Sequence, residues 1–150
     1  METWQKTLII FWGIISFILF IKGFFECKDK KNAYGLTPKL SVFGIFSWGD
    51  AVVFGLFWVL VSLITLVLND WILFLLIISV FWVVRSFGET IYWFNQQFSA
   101  KTYAWNRPER LALHWLFRND SIWFIYQIAW QCVSVVSIIV SIFLAKTWLR

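Results

Sequence analysis

The sequence predicts an all-α integral membrane fold, an antiparallel bundle of four transmembrane helices, and three observations carry that expectation. Hydrophobic residues make up 61% of the 150-residue chain and charged residues 14%, with a mean hydropathy of +0.74, a balance outside ordinary water-soluble usage. The apolar residues gather in four runs, about 8–25, 50–68, 71–94 and 122–144. At 1.5 Å per helical residue each run has about the length needed to cross ~30 Å of hydrocarbon. Lys and Arg are shared unevenly among the polar segments that join the runs, as in polytopic membrane proteins.

The first run ends in Phe24, Phe25 and Glu26 without a small-residue cleavage site, and Glu2 offsets Lys6 at its start. It therefore reads as a retained helix, with Lys22 extending toward the headgroups, rather than a signal peptide. A mostly basic patch from Glu26 to Lys31 follows. Thr37–Pro38 has the residue types of a helix start, Thr as N-cap and Pro in the first turn. Residues 40–48 are apolar but cut by Gly44 and bounded by Gly49, too short for a span, so an interfacial or re-entrant segment is expected before helix 2.

Asp50 leads into the uncharged second run, and Asn69–Asp70 is a turn-forming break that predicts a hairpin of the second and third helices. The third run carries Arg85, Glu89, Tyr92 and Gln96 along one face. The segment 99–120 is the longest polar region, in which Leu111, Leu113, Trp115, Leu116 and Phe117 predict a short amphipathic helix on the surface before helix 4. The last run can be capped by Asn119, Asp120 or Ser121, and Gln127, Gln131, Ser134 and Ser141 form its polar face.

Orientation follows from the basic residues. The first and third loops with the adjoining helix ends hold Lys22, Lys28, Lys30, Lys31, Lys39, Arg85, Lys101, Arg107, Arg110 and Arg118, against Lys6, Lys146 and Arg150 at the termini and none in the hairpin. The excess predicts that both termini face away from the cytoplasm. The basic balance then points to anionic headgroups, with Lys22, Lys28, Lys30, Lys31, Arg107, Arg110 and Arg118 as contacts, and not to nucleic acid.

Counted from the outer ends of the spans, Arg85 and Gln131 fall about 20 Å in, and Asp50, Glu89 and Gln127 roughly 5 Å further. A polar layer of Asp50, Arg85, Glu89, Gln127 and Gln131 is thus expected in the cytoplasmic leaflet. Two readings of it compete. In one the groups pair with each other and set helix register; in the other they line a cytoplasm-facing cavity for an ion, a headgroup or an anionic solute.

Other chemistry has little support in the residues. His114 is the single histidine and has no second ligand at metal spacing, so no metal site or cofactor is expected. Cys27 and Cys132 form no motif, and no nucleophile with its base and no phosphate-binding glycine loop is visible. The functional expectation is a non-enzymatic accessory or interaction subunit that meets membrane lipids, a membrane-protein partner or its own copies through its cytoplasmic face. The first alternative is an oligomeric transporter or channel built on Asp50, Arg85 and Glu89, the second a lipid-modifying enzyme. A small chain without a targeting extension suits a prokaryotic plasma (inner) membrane.

Overall fold

The computed structural model describes residues 1–98, 107–111, 113–117, 119 and 121–150. Four long α-helices account for most of them: α1 (Thr3–Lys28), α2 (Trp48–Leu68), α3 (Trp71–Phe98) and α4 (Ser121–Trp148), with 3-10 turns η1 (Pro38–Phe43) and η2 (Pro108–Arg110) in the connections. Each of the four helices is long and apolar enough to cross a membrane. The chain divides into two compact units, Met1–Ile77 and Ile78–Arg150, with α3 beginning in the first and continuing through the second.

The helix ends are set by local chemistry. Ser47 caps α2 by accepting the N–H of Asp50 at 3.3 Å, and the Asp50 carboxylate accepts the N–H groups of Phe46 and Ser47 at 3.0 and 3.2 Å. This reciprocal box satisfies backbone donors that have no partner inside the helix. Asn69 ends α2 in the left-handed region at φ 53°, a conformation Asn tolerates well. Asp70 then accepts the N–H of Leu73 at 2.9 Å and opens α3. Of the candidate caps of α4, Asn119 holds the N–H of Ser121 at 3.0 Å.

Within the first unit α1 and α2 run antiparallel, since Gly13 faces Ser62, Phe20 faces Gly55 and Gly23 faces Ala51. The buried positions Ala51, Gly55, Trp58, Ser62 and Thr65 of α2 recur at alternating intervals of four and three, and Ile9, Ser16 and Gly23 of α1 are seven apart. That spacing keeps one seam facing the neighbour along the whole contact. Small residues on it let the backbones approach closely, which favours association through dispersion.

The segment before α2 folds back along this pair. Thr37 donates its N–H to the Phe46 carbonyl at 2.9 Å and Leu36 bridges Ser47, making a narrow hairpin whose tip is η1. Gly44 at φ 70° turns the chain out of η1, a conformation that costs glycine little. At the tip the Phe43 carbonyl accepts the indole N–H of Trp58 at 3.0 Å, and the Phe43 ring lies 4.3 Å from that of Trp12. Trp58 is fully buried and ten residues, about 15 Å, into α2. The hairpin is therefore re-entrant with respect to the two helices. Ile45, also fully buried, packs with Leu19 and Ala51 beneath it.

Within the second unit α3 and α4 are also antiparallel. Ser79 pairs with Ser141 at 3.0 Å, Ser86 with Ser134 at 2.8 Å and Gln97 with Gln127 at 2.6 Å, while Trp93 stacks on Tyr126 and Trp82 on Trp130. The paired serines are seven residues apart on both helices, so hydroxyls meet every second turn. Before α4, the described residues make η2 and a hydrogen-bonded turn in which Leu116 and Phe117 donate to the Leu113 carbonyl. This is shorter than the amphipathic helix expected there: Leu111, at ψ 146°, is extended and separates η2 from the turn. Leu111 and Phe117 nevertheless pack on a core of Trp93, Ile122 and Trp123.

Candidate functional site

At the end of α1 the basic residues rest on aromatic rings. Lys22 places its ammonium 4.9 Å from the centre of the Trp48 ring, and Lys28 lies 5.5 Å from that of Phe24. Such contacts attract the cation to the ring face while leaving its outer side to water or an anion. Lys30 pairs with Glu26 at 2.6 Å, one helical turn away, and is exposed. Lys31 is exposed at φ 52°, just beyond the helix. Lys22, Lys28, Lys30 and Lys31 are thus gathered around one helix end, with Trp48 and Phe24 as their apolar floor.

On α3 Arg85 and Glu89 form an ion pair at 3.0 Å, with 17% and 14% of their side chains exposed. Arg85 is fourteen residues, about 21 Å, from the helix start at Trp71, so both charges sit well inside an apolar element. A charge there is tolerable when an opposite charge one turn on neutralises it. Asp50 lies in the other unit, at the third position of α2, where its carboxylate serves the capping box.

The two glutamines on the predicted face of α4 diverge. Gln127 accepts the Gln97 amide within the α3–α4 seam, whereas Gln131, one turn on, is exposed. The four-residue step rotates about 40° around the helix, enough to carry Gln131 off the seam that Gln127, Ser134 and Ser141 share. Arg107 is exposed and Arg110 closes η2, while Arg118 and Lys101 lie outside the described residues.

The polar ladder of Ser79 and Ser86 was not anticipated, although its signal was present. Two serines seven apart on one span can meet two serines seven apart on the next when the spans are antiparallel. The aromatic anchor of the re-entrant tip, Trp12 and Trp58 with Phe43, left no such pattern in the residues, because each ring stands on a different element and none repeats at a fixed spacing.

Compared with protein-family models, with curated proteins and with solved structures, the chain matches none.

Proposed function

We propose that this chain is a small polytopic integral membrane protein, a non-enzymatic accessory or interaction subunit that meets anionic lipid headgroups or a membrane partner through a basic, aromatic cytoplasmic face. In this reading the helices form an antiparallel four-helix bundle in a prokaryotic plasma membrane with both termini outside. The observation that carries it is the seating of Lys22 on Trp48 and of Lys28 on Phe24 at one helix end. An amphipathic ring beneath an ammonium is the arrangement suited to the headgroup level, apolar below and charged above.

The polar groups named in the sequence support an architectural role. Arg85 is neutralised by Glu89, and the Asp50 carboxylate holds the start of α2. Charges engaged in this way are satisfied locally and give less support to a transport path, which needs groups able to exchange partners.

Lipid selectivity tests the reading. The chain, purified in mild detergent and stripped of lipid, is titrated with phosphatidylglycerol or phosphatidylcholine and bound lipid is counted by native mass spectrometry. Preference for the anionic lipid is expected, and it falls when Lys22, Lys28, Lys30 and Lys31 are all changed to Gln. Equal binding of the two lipids, with no partner retained in gentle purification, would sink the proposal.

A further inference from the structure

α4 meets α3 through Gln127, Trp130, Ser134 and Ser141. One residue further on, about 100° around the helix, runs a second seam with the same alternation of four and three: Phe124, Ile128, Gln131, Val135, Ile138 and Ile142. All six are exposed. Four are β-branched and apolar, the residue types that interlock well at the core positions of paired helices. Gln131 is the exception, and its amide makes no hydrogen bond to another described residue.

Gln131 lies ten residues, about 15 Å, beyond the start of α4 at Ser121, and the helix runs on for seventeen more. In a helix that crosses a bilayer, that depth places a primary amide in hydrocarbon, where lipid chains offer neither donor nor acceptor. A neighbour that brings a hydrogen-bonding group to that depth satisfies the amide, and an amide, with donors and an acceptor, is complemented by another amide.

We infer that a second copy of this chain covers the seam, the two α4 helices packing about a two-fold axis parallel to the membrane normal. The Gln131 amide of each copy donates to the Gln131 carbonyl oxygen of the other. Two copies inserted in one orientation bring the same residue to the same depth, and a two-fold interface is self-complementary. One polar residue in an otherwise apolar seam is also the device that fixes register between paired helices. The inference rests on the membrane-spanning reading of α4 and not on the lipid contacts of α1, so failure of the headgroup titration leaves it standing.

Cysteine cross-linking of the full chain in its membrane tests it, in a background carrying Cys27→Ala and Cys132→Ala. Ile128→Cys, Val135→Cys and Ile138→Cys are expected to give disulfide-linked dimers several-fold more readily than Ala129→Cys, Val136→Cys, Ile139→Cys or the native Cys132 kept alone. In vesicles, energy transfer between labelled copies, followed as lipid is added, should show Gln131→Leu weakening the dimer about fivefold, with Gln131→Asn weakening it less. Even cross-linking across both sets, a maximum at the second set, unchanged association of Gln131→Leu, or a chain monomeric at every density would each overturn the inference.

Discussion

Gly55 of α2 lies against the backbone of Phe20 in α1: a Cβ built on Gly55 would stand 2.9 Å from the Phe20 Cα and the same distance from its N. A flexible side chain could move aside, but a helix backbone cannot, so at this point the approach of α1 and α2 depends on an absent methyl group. Gly88 of α3 has nothing within 4 Å of the corresponding position.

Gly55→Ala is therefore expected to destabilise the first unit by about 1–3 kcal/mol, the usual cost of overpacking. Gly88→Ala should be neutral or stabilising by up to ~1 kcal/mol, because alanine loses less conformational entropy in a helix. Reversible unfolding in mixed micelles measures both, and equal effects would argue against the close seam.

One indole hydrogen bond holds the re-entrant tip, beside the ring contact of Phe43 with Trp12. Trp58→Phe keeps the ring but removes the donor to the Phe43 carbonyl, and should cost about 1 kcal/mol. Amide exchange ought to rise at residues 38–45 while remaining slow in the middle of α2. Unchanged protection over the tip would mean that the hairpin is held by packing alone.

Ser86 and Ser134 are expected to be energetically coupled. In a double-mutant cycle of Ser86→Ala and Ser134→Ala the interaction should come to about 0.6 kcal/mol, the typical worth of a hydrogen bond between helices in a membrane. Thr147, which bonds only within its own helix at the Phe143 carbonyl, supplies the comparison, and Ser86→Ala with Thr147→Ala should be additive.

Removal of one charge of the α3 pair is predicted to be worse than removal of both. Arg85→Ala leaves the Glu89 carboxylate without its neighbouring cation in an apolar helix, so accumulation in the membrane should fall sharply. Arg85→Leu with Glu89→Leu should recover much of it. A stable single variant that lost a measurable transport activity would instead favour the cavity reading of these residues.

Topology is open to labelling. With Cys27 and Cys132 replaced by Ala, a cysteine at Asp70 should react with membrane-impermeant maleimide from outside the cell, at the modest stability cost of losing the cap on Leu73. Labelling from the cytoplasmic side alone would reverse the proposed orientation and with it the placement of the basic face.

The residues by themselves determined four apolar helices, their approximate limits and the turn at Asn69–Asp70, because hydropathy, caps and turn types are local properties read within a few positions. They also placed Arg85 one turn from Glu89, since a four-residue step on a helix always brings two side chains together. Only the tertiary structure decided that residues 33–49 fold back onto Trp12 and Trp58, that serines from α3 and α4 meet in pairs, and that Gln131 leaves the seam occupied by Gln127. Those outcomes depend on which faces two helices turn toward each other. That choice comes from many small contacts between distant positions, each weak alone, and the close approach of Gly55 to Phe20 shows how far a missing side chain can decide it.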